Sequence, residues 1–318
     1  MDRRAWLLMA ILSALWGASY LFIKVALDDG VPPIFIVFAR IALGALVLVP
    51  LAIHANALRG VWQRWAPITF MALVQVVGPF LLITYGERHI ASGLAGILVA
   101  AAPIFTVLLA IRFDQEERLR GVAAGGIVAG IVGVVLLFGA DLSGSVHTIA
   151  GGLMVLLAAL GYAAGALYLK ANLRDVPTFG LAAGTMLVGT LVLAPVTLLF
   201  GLPSEAPSLE ATASLLILGA GGTGVAFAIF FALITGVGPS RAALVAYIAP
   251  GFAVLYGVWL LDEPLTVGAV VGLVLILAGS WLAAEGRLPW RATRSEPSRS
   301  IAPEPAPAPR SQGASSRP

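Results

Sequence analysis

Ala5 to Phe22 reads AWLLMAILSALWGASYLF, an unbroken run without a formal charge. A helix needs about 20 apolar residues to cross a bilayer core, at about 1.5 Å of rise per residue. Met1-Asp2-Arg3-Arg4 in front of it has the look of a signal-peptide n-region. The block is too long for a typical signal core, and similar blocks follow it, so it reads as an uncleaved first span. Hydropathy then places spans near Trp6–Ala26, Pro33–Ile53, Ala66–Gly86, Ser92–Phe113, Leu119–Phe138, Gly152–Lys170, Phe179–Phe200, Ala211–Thr235, Arg241–Leu261 and Leu265–Ala284.

Composition agrees with that reading. Apolar residues make up 59% of the chain and charged residues 11%, with a mean hydropathy of +0.98. A water-soluble domain of this length needs far more charge to cover its surface. The net charge of +3 comes largely from arginines in short loops and in the C-terminal tail. They read as topology signals and not as a nucleic-acid patch. Cysteine is absent, which removes disulfides and thiolate metal sites, and His54, His89 and His147 are far apart in the sequence. No cofactor is implied. From Gly286 the chain turns polar and Pro-rich, as in the Pro/Ala/Glu run Ile301 to Arg310, and residues 286–318 are expected to form a disordered cytoplasmic tail.

Lysine and arginine set the orientation. With the N-terminus in the cytoplasm, the inner segments hold Arg3 and Arg4, Arg59 and Arg64, Arg112, Arg118 and Arg120, Lys170 and Arg174, and Arg241. The outer loops hold Arg88, with Lys24 near one outer helix end. That bias favours both termini inside.

The chain also repeats itself. Ala102-Pro103-Ile104-Phe105 resembles Ala249-Pro250-Gly251-Phe252. Glu117, Leu119, Gly126 and Gly133 match Glu263, Leu265, Gly272 and Gly279 at one constant offset, which also maps Lys24 onto Lys170 and Trp16 onto Tyr162. The expected domains are therefore two five-helix halves, 1–139 and 140–285. Five is odd, so the second half enters the membrane from the opposite side. Charge agrees, since the loop before Leu119 is basic while its counterpart Asp262-Glu263 is acidic. Inverted repeats are typical of secondary transporters, which bind substrate where the halves meet.

With these features assembled, the chain resembles the drug/metabolite transporter superfamily, in its EamA-type branch of ten-helix carriers. The resemblance rests on Leu15-Trp16-Gly17-Ala18-Ser19 with Lys24 in helix one, on Arg40 in helix two, and on Pro103 and Pro250 in helices four and nine. The acidic turns Glu116-Glu117-Arg118-Leu119 and Asp262-Glu263-Pro264-Leu265, each followed by a Gly-rich helix, complete it. It implies an all-α membrane protein that exports or takes up amino acids, other metabolites or drugs. Four-helix multidrug relatives carry a buried glutamate in helix one, whereas Ser13-Ala14-Leu15-Trp16 here has no acid.

Several motifs have plainer explanations than function. Gly219 to Gly224 matches G-x-G-x-x-G, but it lies inside an apolar span with no preceding strand and no acid at the right distance. Close helix packing or a break in helix eight is the better account. Glycines at four-residue spacing, such as Gly126 and Gly130 or Gly268 and Gly272, read as packing surfaces. Glu117 and Glu263 each precede a helix and read as caps for it.

Candidate site residues follow from polarity at depth. Ser13, Trp16, Tyr20 and Lys24 share one helical face, and Trp16 lies too deep to be an interfacial anchor. Tyr162 is the helix-six counterpart of Trp16. Arg40 lies about two turns inside helix two, where charge needs a partner or a wet cavity, and Asp28, Asp29 and Glu87 are its candidate partners. Gln75 and Tyr247 are further polar points. Trp16, Tyr20, Lys24, Arg40, Gln75, Tyr162 and Tyr247 are the expected substrate-binding set, with Pro103 and Pro250 as hinge or gate. The expected function is alternating-access transport of a zwitterionic or anionic solute across a bacterial inner membrane. A drug efflux carrier, a passive channel and, more remotely, an intramembrane enzyme are the rivals, the last lacking any visible catalytic set. The expected partners are a small-molecule substrate and the lipid bilayer, with monomer and homodimer both open.

Overall fold

A computed structural model describes residues 1–113, 121–140 and 145–285. Glu116, Glu117, Arg118, Arg120 and the expected tail 286–318 lie outside the described residues. Within them the chain is helical and strand-free, and ten helices are long and apolar enough to cross a membrane. They are α1 (Arg3–Asp28), α2 (Pro33–His54), α3 (Trp62–Gly86), α4 (Ser92–Ile111), α5 (Gly121–Gly139), α6 (Val146–Asn172), α7 (Thr178–Phe200), α8 (Leu209–Val237), α9 (Pro239–Leu260) and α10 (Val267–Ala284). Each sequence-expected span has its helix. The widest discrepancy is the start of α6, where Ser145 Oγ accepts a hydrogen bond from the Thr148 N–H. That cap extends the helix through His147 and Thr148, which hydropathy excluded.

Lipid gives helices no hydrophobic drive toward one another, so close backbone approach has to supply the contact. Glycine makes it possible. A Cβ built on Gly126 of α5 would lie 2.7 Å from the Gly279 carbonyl oxygen of α10, and one on Gly279 would lie 2.5 Å from the Gly130 nitrogen. The seam of α1 on α9 is alike, with a Cβ on Gly17 falling 2.8 Å from the Ala249 carbonyl oxygen. α2 packs on α7 and α8, α3 on α6, and α4 on α6 and α9.

Four of these helices are irregular. Residues Ala72–Val77 of α3 and Ile217–Val225 of α8 are wound as π-helix, an uncommon form with i→i+5 hydrogen bonding. The G-x-G-x-x-G run forms much of the second π segment, and Cβ atoms on Gly219 and Gly224 would strike Leu43 and Val47 of α2. It is a packing surface. α4 is broken at Ala100-Ala101, one residue before the helix resumes at Ala102. Pro103 accounts for the break, because it has no N–H and its ring crowds the carbonyl four residues back. The Ala100 carbonyl freed there accepts from Ser280 Oγ of α10 at 2.9 Å. α9 is interrupted at Ala243-Leu244, whereas Pro250 lies inside the continuous helix that follows. The two repeated prolines therefore sit in different local geometry.

The structure corrects the assignment of Glu263 as a cap for its own helix. Its carboxylate accepts from the backbone N–H groups of Ser92 (2.6 Å) and Gly93 (3.0 Å), at the first turn of α4. α10 is begun instead by Thr266, whose hydroxyl accepts from the Ala269 N–H. Glu263→Ala is expected to lower stability by about 1–2 kcal/mol, the range for losing a helix cap. Asp262→Gly, at a positive φ of 52° where glycine is relaxed, is the control and should cost nothing. Thermal melts in detergent compare them, and equal melting temperatures for Glu263→Ala and wild type would refute the cap.

Candidate functional site

α1 does not lie on the protein's surface along the expected face. Ser13 is fully buried and Tyr20, Trp16 and Lys24 are half-buried, but Gly17 and Leu21 on other faces are buried too. α1 is enclosed by α8, α9 and α4, so its polar stripe opens into the protein. Trp16, near the middle of the helix, packs against Phe227 and Phe230 of α8 at centroid distances of 5.9 and 5.2 Å. It sits in an apolar corner of the interior.

One turn further along α1 the environment becomes polar. Tyr20 lies beside Gly96 of α4, whose missing side chain leaves room for the ring. Tyr20, Arg40 and Tyr162 lie within electrostatic reach of one another, and Glu87 reaches both Tyr20 and Arg40. Helices α1, α2 and α6 and the end of α3 thus deliver their polar groups to one region. Gln75, in the π segment of α3, lies against Gly165 of α6, and its buried Oε1 has no hydrogen-bond partner.

Arg40 is 7% exposed. The expected ion pair with Asp28, Asp29 or Glu87 is not formed. Asp28 pairs with Lys24 at 3.6 Å, and Asp29 accepts from the Ser208 N–H. Arg40 Nε donates instead to Thr223 Oγ1 at 3.0 Å, and the guanidinium carbon lies 3.7 Å from the Phe80 ring centroid. Thr223 in turn donates to the Leu218 carbonyl five residues back, within the π segment of α8. A neutral hydroxyl on α8 thus serves as the acceptor for the buried arginine. Among the described residues no carboxylate neutralises Arg40.

Glu87 follows the last residue of α3 and is fully buried. Neither carboxyl oxygen has a hydrogen-bond partner. Burial pushes this carboxyl well above the usual carboxylate range, with Lys24 pulling it down and Glu263 pushing it up. Lys24 Nζ donates to the Glu87 backbone oxygen at 3.3 Å, leaving the carboxyl itself without a cation in contact. A cavity of about 310 Å³ opens at this end of the molecule, lined by Lys24, Asp28, Val31 and Arg88 among others. Lys24 lies between it and Glu87.

The two remaining expected residues lie on α9 and α1. Tyr247 lies in the first turn of the second part of α9, two residues from Ala249, which abuts Gly17. Trp16 belongs to the α8 aromatics. Conversely, sequence reasoning named Glu87 as a partner for Arg40 or a coupling carboxylate and left it out of the substrate-binding set, and it missed Thr223 and Phe80. Thr223 stood inside a glycine run read as packing, and nothing in hydropathy marks a π turn. Among the described residues no three His, Asp or Glu side chains converge as a metal site.

Ten apolar helices around buried polar groups define a multi-pass membrane protein. The chain belongs to the EamA-like transporter family, whose sequence model matches residues 4–139 and again 149–284. That family transports and does not catalyse, as the sequence led us to expect. The chain is 26% identical to the uncharacterized transporter YoaV of Bacillus subtilis, over 84% of this chain and 92% of that one. It is 28% identical to the uncharacterized inner membrane transporter YedA of Escherichia coli (84% and 89% covered). It is 27% identical to a protein of Salmonella typhimurium named "Probable amino-acid metabolite efflux pump" (90% and 96%). A solved crystal structure shares the fold at a TM-score of 0.63 and 22% identity, over 89% of this chain and 98% of that one.

Proposed function

We propose that the protein is a secondary carrier in a bacterial inner membrane, with both termini cytoplasmic. It moves a small zwitterionic or anionic metabolite, of the amino-acid kind, by alternating access, through a cavity enclosed by two inverted five-helix halves, 1–139 and 140–285. One observation carries the substrate class: Arg40 is buried at depth, without a neutralising carboxylate, beside Tyr20 and Tyr162. A buried cation is costly unless something completes its charge. A substrate carboxylate does so, and the guanidinium fork suits it. Tyr20, Gln75 and Tyr162 line the chamber, Trp16 and Tyr247 close its other end, and Lys24 guards the mouth. Pro103 loosens α4 beside it. The repeat is supported by the family match on each half and by the π segments, which fall in the third helix of each. The "amino-acid metabolite efflux" of a relative's name favours the same substrate class.

The test is counterflow in proteoliposomes. Flux of a radiolabelled neutral amino acid should saturate and be accelerated by the same amino acid on the far side. Linear, unsaturable flux would mean a channel. Trp16→Ala should cut the saturable flux several-fold with normal membrane levels, since many other contacts hold α1 in place. A wild-type rate in that variant would remove Trp16 from the chamber wall.

A further inference from the structure

We infer that Glu87 receives the cationic end of the substrate: its carboxylate takes the ammonium of a zwitterion whose carboxylate lies on Arg40, and in the empty carrier a proton stands in for that ammonium. The inference rests on the carrier reading above and deepens it.

The reasoning begins with a contrast between two acids at the same end of the molecule. Glu263 has a structural role, and both its oxygens are engaged by backbone N–H groups. Glu87 is more deeply buried, yet neither of its oxygens is engaged. Native proteins seldom bury a polar side chain without a partner, and a carboxylate least of all. A glutamine or leucine would fill the same space at less cost, so packing does not account for the acid.

The surroundings define what would complete it. From α1 come Tyr20 and Lys24, but Lys24 Nζ is directed at the Glu87 backbone oxygen and at Asp28. From α2 comes Arg40, held by Thr223 and Phe80. The turn before α10 contributes Glu263, already occupied as a cap, which repels a second negative charge nearby. α4 contributes Ser92, whose Oγ is also buried and without a partner. From α6, His147 stacks on His89, two residues beyond Glu87, at 5.5 Å. Arg88 faces the cavity at the mouth. An unengaged acid and an unneutralised arginine within electrostatic reach of each other, but not paired, describe a receptor for a molecule with one charge of each sign.

The exchange balances. An entering ammonium, R–NH3+, displaces the proton of the Glu87 carboxylic acid, which leaves to water through the mouth cavity. The carboxylate remains, paired with the ammonium. One proton is released per substrate bound, and binding a proton on the opposite side expels the substrate. Such a carrier exchanges protons for zwitterions.

The experiment uses the full-length protein in detergent, weakly buffered, with a pH-indicator dye. The probes are the neutral L-amino acids, their N-acetyl derivatives, which lack the cation, and their methyl esters, which lack the anion. Free amino acids are expected to raise the melting temperature and release about one proton each. Both derivative sets should bind at least tenfold more weakly. Glu87→Gln should lose at least tenfold in amino-acid affinity, release no proton, and melt no lower than wild type when empty. Its unliganded stability should also fall less as pH rises, because an acid held protonated by the fold stabilises at low pH and loses that contribution at higher pH. Equal binding of N-acetyl derivatives, unchanged affinity in Glu87→Gln, or a marked drop in its unliganded melting temperature each overturns the inference. So does failure of every free amino acid to bind. Saturable counterflow of N-acetyl derivatives would in that case leave the carrier reading intact while Glu87 is excluded.

Discussion

Replacing Arg40 by methionine is expected to reduce transport about 10- to 100-fold while the protein inserts and folds. Charge-assisted hydrogen bonds contribute about 1.5–3 kcal/mol, and each 1.4 kcal/mol is about a factor of ten. Methionine keeps the unbranched stem and still covers Phe80, so packing changes little. Thr223 is not orphaned, because its hydroxyl continues to donate to the Leu218 carbonyl. Stability is expected to hold or rise, since a buried, unneutralised charge is removed. Arg40→Lys should fall between the two, as it retains the charge and loses the Nε–H donated to Thr223 and the flat face on Phe80. Initial rates in proteoliposomes, normalised to the amount of protein, decide the matter. Wild-type rates in Arg40→Met would show that the arginine is structural.

The second large effect is on assembly. Gly126→Leu is expected to abolish the folded protein, and Gly125→Leu, one residue earlier, to be nearly neutral. A Cβ on Gly126 meets the Ala283 nitrogen and the Gly279 carbonyl oxygen, both at 2.7 Å, whereas one on Gly125 meets nothing within 4 Å. Ordinary overpacking costs about 1–3 kcal/mol because neighbouring side chains yield. Here the obstacle is backbone, so α5 and α10 must separate. Gel filtration of the two variants gives the readout. A monodisperse peak for Gly126→Leu at wild-type yield would refute the account of this seam.

The transmembrane helices were legible because lipid imposes a simple rule: a span is a run of apolar residues of nearly fixed length. The ends were less so where a cap intervened, as at Ser145. The inward face of α1 was readable from Trp16 and Tyr20 at helical spacing, yet the burial of Gly17 and Leu21 was not, because enclosure depends on which helices gather around α1. Arg40 was identifiable as a buried charge. Its true partner was not, for two reasons. Electrostatic intuition looks for an acid, and Thr223 is a neutral hydroxyl on a helix far away in the sequence. Glu263 misled for a related reason: an acid before a helix suits the dipole of that helix, but a helix from 170 residues earlier presents its own free N–H groups at the same place.

α4 is fastened twice, and both times by the stretch around α10. Glu263 holds its first turn and Ser280 holds the carbonyl at its break. α1 and α9 meet at a close backbone approach, where Gly17 abuts Ala249 and Phe252. A machine that rocked one sequence half against the other would have to undo both fasteners in every cycle. One in which α4 travels with α10 undoes neither. The boundary between the moving parts of this chain then differs from the boundary between its repeats, each part being assembled from pieces of both.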